Sequence, residues 1–549
     1  MFFFFSILIS FYITVILIPL LRRLATRLNI IDIPDYRKVH EIPTPRIGGV
    51  GIVAGAIVPI LVWVPMTNEF RAFLIGIAIL FILGLLDDLM NLSYKKKLLG
   101  QVLLIGVTMA LGKTFIINLG VWRAGEIILP YWLAIPLTFF FILGITNAIN
   151  LADGLDGLAG GISILIFSSI GIPAYLDDRT PILICCLGIV GALLAFLRYN
   201  TFPASIFMGD TGSQFLGFSA AVLCIYLTQY QSTAIARTLP LIILGFPIMD
   251  TLTVMSERIA YGESPFKPDL KHFHYRLLKI GLTQKDAVLG IYLIQAMMVF
   301  LSIQLRYYPE PWIIFTYLSL VISILLFFYL THRTGWKFQK GVGVENLWNK
   351  LVREEFNISL KNVSLNYIKI VLPLGLIWLS ISSPLRLVEG NIVIFIVGLL
   401  TLVAYCINRS AFKILFRLTS YILTMYLLLS SQASTIFQLP FSQQFFHHIF
   451  WGSLAACALT YLLITRFKFL ETTSLDYLIL ILVISIPFLP VEQVKIWHLG
   501  TVAGGMVVFL WLGEILLANQ KKELNSFSFS CLTAVSILFF RYLSAAEFF

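Results

Sequence analysis

Five aspartates stand out as residues that could act together: Asp87, Asp88, Asp153, Asp156 and Asp210. They lie in short polar segments set between long apolar runs, accompanied by Asn147, Asn150, Lys97, His272, His274 and Arg276. Carboxylates crowded at the edge of a low-dielectric slab repel one another, and their pKa values rise. A divalent cation relieves this. Oxygen donors from Asp and Asn suit Mg²⁺, with Mn²⁺ as an alternative, and Mg²⁺ characteristically takes one or two carboxylates plus substrate phosphates and water. Lys97, His272, His274 and Arg276 suit phosphate oxygens. Metal, phosphate and a membrane interface together point to phosphoryl transfer to or from a lipid phosphate.

The chain that must position these groups has 549 residues, 59% of them hydrophobic and only 12% charged. Its mean hydropathy is +0.91. That excludes a globular soluble enzyme, a disordered chain and a disulfide scaffold. The fold class expected is all-α, a polytopic helical membrane protein. The net charge of +11 reads as Lys and Arg gathered at one membrane face, and no nucleic-acid partner is expected because few aromatics sit in the basic loops. The six cysteines fall in apolar runs without metal spacing and read as small fillers. The first apolar run lacks a positive n-region and a cleavage site, so it is expected to be a retained span.

Runs of about 20 apolar residues predict spans over 2–21, 48–66, 72–86, 98–118, 131–148, 159–175, 180–198, 212–231, 238–257, 286–304 and 311–331. A polar stretch interrupts the pattern, and seven further runs follow over 367–385, 391–407, 412–430, 446–465, 474–490, 496–517 and 527–543. The expected organisation is a core of about eleven spans over 1–335, a cytoplasmic polar linker over 336–365 and an additional membrane region over 366–549. Positive charge places the loops at 22–47, 95–97 and 258–285 on the cytoplasmic side of a plasma membrane. With that topology the polar clusters, far apart in sequence, share one membrane face. Each alone has a plainer explanation: solvated span ends, helix caps, tight turns, surface loop histidines. Caps and turns would scatter over both faces, and these do not. A zinc reading of the two histidines needs a further His or Cys on that side, where the spare candidate in the first half is His40.

The segments DIPDYRKVHEIPTPRIGG (32–49), DDLMNLSYKKKLLGQ (87–101), NAINLADGLDGLAGG (147–161), FMGDTGS (207–213) and PDLKHFHYR (268–276) resemble the polyprenyl-phosphate N-acetylhexosamine-1-phosphate transferases, the superfamily of phospho-N-acetylmuramoyl-pentapeptide transferase. The resemblance covers about residues 1–335. It implies transfer of a sugar 1-phosphate, N-acetylglucosamine 1-phosphate by default, from a UDP-sugar to polyprenyl phosphate, with release of UMP. It further implies that Asn150 and Asp210 ligate Mg²⁺, and that Asp156 and Phe207 hold the uracil. Asp87 and Asp88 would serve the lipid phosphate, and His272, His274 and Arg276 would contact phosphate. Asp153 joins the catalytic set, and Asn147 and Lys97 join the nucleotide and phosphate contacts. The family's histidine motif often has a third histidine where this chain has Tyr275. HFHYR favours the N-acetylhexosamine branch over the muramoyl-pentapeptide branch.

The competing reading is a transporter or channel with carboxylates along an ion pathway, which would place acids near mid-span and on both sides. The region beyond 335 shows no comparable cluster of carboxylates or histidines. It is expected to serve localisation, lipid handling, or contact with a partner or a second copy of the chain.

Overall fold

The computed structural model describes residues 2–34, 42–122, 125–229, 233–264, 271–335 and 354–382, with scattered positions from residue 420 onward. The chain divides into two compact units, Met1–Gln339 with Thr473–Leu478, and Lys340–Thr472 with Ile479–Phe549.

In the first unit each of the eleven predicted runs contains helix, though some of them are not helical throughout. The order is α1 (Phe2–Arg27), β1 (Ile31–Asp32), β2 (Thr44–Pro45), α2 (Gly48–Trp63), α3 (Asn68–Met90), α4 (Tyr94–Gly112), β3 (Asn118–Trp122), β4 (Gly125–Ile128), α5 (Tyr131–Leu151), α6 (Leu158–Leu176), α7 (Thr180–Asn200), α8 (Gly209–Thr228), α9 (Pro240–Ile243), α10 (Gly245–Ala260), α11 (Phe273–Lys279), α12 (Gln284–Leu305) and α13 (Glu310–Thr334). Among the described residues nine helices are long and apolar enough to cross a membrane, eight of them in this unit. The protein is an all-α, multi-pass membrane protein.

Helix α8 lies at the centre and is almost wholly buried; it packs on α2, α3, α5 and α6. Hydrocarbon supplies no hydrophobic drive between helices, so close backbone approach matters. Gly84 provides it for α3 against α8: a Cβ there would fall 2.5 Å from Thr211 Cα.

The structure corrects several boundaries. The run 98–118 leaves helix at Lys113, whose φ is +49°, and its end forms β3 of an antiparallel hairpin with β4. Gln229, just past the C-terminus of α8, holds that hairpin by accepting from the Ile117 and Asn118 amides at 3.0 Å. The run 238–257 is two helices, broken at Leu244. Backbone groups freed inside a membrane need internal partners. Gln295 Nε2 donates to Ile243 O at 2.9 Å, and Tyr317 Oη donates to Gly245 O at 3.2 Å. The polar motifs also prove more helical than expected. Asp87-Asp88, Asn147-Asn150, Lys97 and Asp210 all lie on terminal helix turns, and His272 caps α11.

In the second unit, α14 (Glu354–Ser382) begins inside the stretch read as linker. Ile368, Leu372, Leu376 and Leu379 recur at helical spacing and bury against Leu423, Trp451 and Phe509. Of the other six predicted runs only scattered residues are described. His40 lies outside the described residues.

Candidate active site

The last turns of α3 and α5 and the first turns of α4 and α8 meet at one end of the bundle. Asp87 and Asp88 are adjacent on α3, so their side chains diverge by about 100° around the helix axis. They do different work. Asp88 is buried and accepts from the Asp210 amide at 2.8 Å, the Thr211 amide at 3.1 Å and Thr211 Oγ1 at 2.6 Å. Helix α8 has no side-chain cap of its own. A carboxylate from α3 therefore satisfies its orphan N–H groups and complements its dipole. Gly209 allows this approach: its φ is +72°, and a Cβ would lie 2.7 Å from both Asp88 oxygens.

Asp87 turns the other way. Its Oδ1 accepts from the Leu92 amide at 2.7 Å, and its Oδ2 lies 2.5 Å from Lys97 Nζ. The same ammonium is 2.7 Å from Asp210 Oδ2. Lys97 thus joins α3, α4 and α8. From Asp210 the network continues through Gln214, whose Nε2 donates to Oδ2 at 3.3 Å, to Gln101 and then to Asn147, which donates to Gln101 Oε1 at 3.2 Å. Ser213, one turn beyond Asp210 on α8, donates to Asn150 Oδ1 at 2.6 Å.

The turn between α5 and α6 carries Asp153 and Asp156. Burial, reinforced by Asp210, Asp156 and Asp88, pushes the Asp153 carboxyl up to about 7. Asp156 Oδ2 accepts from the Ala204 amide at 2.9 Å. Phe207 is half-buried; its amide donates to Pro45 O at 2.7 Å, and its carbonyl accepts from the Gly48 amide at 2.9 Å. Asn200 ties the two loops together, accepting from the Gly157 amide and donating to Ile206 O.

The histidine segment is the helix α11. His272 Nδ1 lies 2.9 Å from Asp250 Oδ2, and both residues are buried. The His274 ring stacks on that of His272, with centroids 6.0 Å apart and planes 5° from parallel. Burial drives the His274 imidazole down to about 4, assisted by His272 and opposed by Asp250. Its Nε2 is buried without a hydrogen-bond partner and packs on Gly154. Arg276 faces Glu257, with its Nη2 2.8 Å from Glu257 Oε1.

Residues 70–228, which contain three of the polar clusters, match the family model described as Glycosyl transferase family 4. A Bacillus subtilis (strain 168) protein described as probable undecaprenyl-phosphate N-acetylglucosaminyl 1-phosphate transferase is 38% identical over 298 residues, covering 53% of this chain and 81% of the relative. The chain belongs to the polyprenyl-phosphate N-acetylhexosamine-1-phosphate transferase family. Undecaprenyl-phosphate alpha-N-acetylglucosaminyl 1-phosphate transferases of Escherichia coli (strain K12) and Yersinia pestis are each 29% identical to it, over 337 and 325 residues, covering 60% and 58% of this chain and 90% and 87% of the relatives. It is a glycosyl-1-phosphate transferase.

In this transferase Asp210, Asn150 and Asp153 offer oxygen atoms as metal ligands, and Asp210, Asp156 and Asp88 add their negative charge to the burial that raises the Asp153 carboxyl. That chemistry fits a hard divalent cation. Among the described residues no three of His, Cys, Asp or Glu converge as a metal cage, so such a cation would complete its shell from phosphate and water. Sequence reasoning missed Gln101, Ser213, Gln214, Asn200 and Asp250. Asp250 carried a signal, since an acid inside an apolar run is expensive and needs a named partner.

Proposed function

We propose that this transferase moves N-acetylglucosamine 1-phosphate from UDP-N-acetylglucosamine to undecaprenyl phosphate at the cytoplasmic face of the plasma membrane, making the first lipid-linked sugar of a cell-envelope polysaccharide. The names of the relatives support the lipid acceptor and the transferred N-acetylglucosamine 1-phosphate, the resemblance of the polar motifs supports the UDP-linked donor, and the excess of Lys and Arg in one set of loops supports the sidedness. A phosphate oxygen of the lipid attacks the sugar-bearing phosphorus. The bond from that phosphorus to the bridging oxygen breaks, and UMP leaves with that oxygen.

The observation that carries the reading is the Lys97 bridge between Asp87 and Asp210. It sets an ammonium and two carboxylates at the junction of three helices, where phosphates and a cation can be held together. Asp210 and Asn150 would hold Mg²⁺, with Asp153 beside them. Bound there, Mg²⁺ neutralises diphosphate charge and stabilises the leaving group. Lys97 orders the two carboxylates and offers its charge to phosphate oxygens. Asp87 serves the lipid phosphate side. No strong base is required, because a phosphate monoester has its second pKa near about 6. Asp88 contributes by shaping the start of α8. Asp156 and Phe207 hold the uracil, Asn147 steadies the network, and His272 meets a phosphate oxygen. Arg276, paired with Glu257, holds α11 to α10.

The test is full-length protein in detergent with undecaprenyl phosphate and a panel of radiolabelled UDP-sugars. Organic-extractable label from UDP-N-acetylglucosamine, with UMP released one for one, is the expected result. Label from no UDP-sugar refutes the reading, and label only from another sugar replaces the donor.

A further inference from the structure

Asp250 is 5% exposed on α10, one and a half turns beyond the helix break at Leu244. Both its oxygens are engaged with α11. Oδ2 lies 2.9 Å from His272 Nδ1, and Oδ1 accepts from the Phe273 amide at 2.7 Å. The surroundings are apolar: Phe246 and Phe273 meet edge to face at 5.3 Å, and Phe273 meets Phe328 at 4.7 Å. A buried carboxylate there is costly unless paired and hydrogen-bonded. A carboxylate opposite Nδ1 selects the ring form that carries its proton on Nδ1 and leaves Nε2 to meet the outside.

We propose that Asp250 is a positioning residue for the transfer reaction, acting through His272. It fixes the imidazole's place and rotation by holding Nδ1, so that Nε2 is the ring nitrogen left to face a substrate phosphate. The one-amide hold on Phe273 fixes the start of α11, so ring and helix move as a unit. Gln295 extends this support: it bonds the Ile243 carbonyl at the break that aims α10. The assignment rests on the reading that His272 contacts phosphate.

The discriminating variant is Asp250→Asn, in full-length protein. Asparagine keeps the volume and an acceptor for the Phe273 amide, but removes the charge and can offer its N–H to Nδ1, reversing the tautomer. A purely structural cap would leave the rate near wild type. The expected result is monodisperse protein with at least about a 10-fold lower single-turnover rate, the low end for losing a carboxylate that orients an imidazole. Asp250→Glu should recover part of it. In a His272→Gln background the Asn substitution should cost little more, because both changes remove one unit. Wild-type rates for Asp250→Asn, or the same fold-loss with and without His272, overturn the proposal. Should Asp250→Asn not fold, Asp250→Glu reads the same link: a rate several-fold below wild type is expected, and an unchanged rate overturns it. A wild-type rate for His272→Gln instead removes the phosphate contact itself, and the proposal with it.

Discussion

The imidazole of His274 rests on Gly154, so close that a Cβ at residue 154 would fall 2.4 Å from Nε2. The contact locks α11 against the turn that carries Asp153 and Asp156. Gly154→Ala should push the ring away and cost about 1–3 kcal/mol, as overpacking does, with a fall in transfer rate. Measuring the unfolding temperature alone and combined with His274→Ala checks this. If the clash is real, the second change relieves the first, and simple additivity contradicts it.

Stability should fall in acid through the same residue. His274 is held down to about 4 by burial, against about 6.5 in an unfolded chain. Between those values the unfolded state binds more protons, so stability rises with pH there. It is fully present above about 6.5 and is lost as pH falls toward about 4, by at most about 1.4 kcal/mol per pH unit. His274→Asn should flatten this part of the unfolding profile. An unaltered slope would show that other groups set it.

Lys97 should be irreplaceable by charge alone. Lys97→Ala leaves Asp87 and Asp210 without their shared ammonium, and the rate should fall by roughly two orders of magnitude, comparable with loss of a main electrostatic stabiliser. Lys97→Arg should recover little, since a planar guanidinium does not occupy the place of a compact ammonium. Initial rates of lipid labelling decide it, and a robust Arg variant would mean that only positive charge is needed.

Asp88→Ala should destabilise the protein by about 1–3 kcal/mol, because it strips the N-terminus of α8 of its acceptor and leaves buried donors unpaired. Thr211→Val should cost less, because both amides keep their partner. Thermal unfolding of the two variants gives the order directly. The reverse order would remove Asp88 from the capping role.

Transfer should require a divalent cation. Chelator is expected to abolish it, and Mg²⁺ to restore it. Asp210→Ala should lower the rate at least about 100-fold. Full activity in chelator would exclude the metal.

Much of this was legible in the sequence for a plain reason: a span needs a long apolar run, and the runs are visible one by one. The polar motifs were equally visible because an acid or histidine beside such a run is expensive to keep. Their common face followed from counting spans and positive charges. Pairings were not legible. Asp87 and Asp88 are neighbours in the chain and look equivalent, yet one faces Lys97 and the other caps a helix whose amide lies 122 residues away. Asp250 stands in an apolar run that names no partner for it, and only the fold carries it to His272. The hairpin at 118–128 and the break at Leu244 were hidden by apolar composition, since hydropathy records what a segment dissolves in and not which hydrogen bonds its backbone makes. Burial and charge per residue are local properties written in the sequence. Which donor meets which acceptor depends on helix packing, where a glycine such as Gly84 or Gly209 decides how closely two backbones approach.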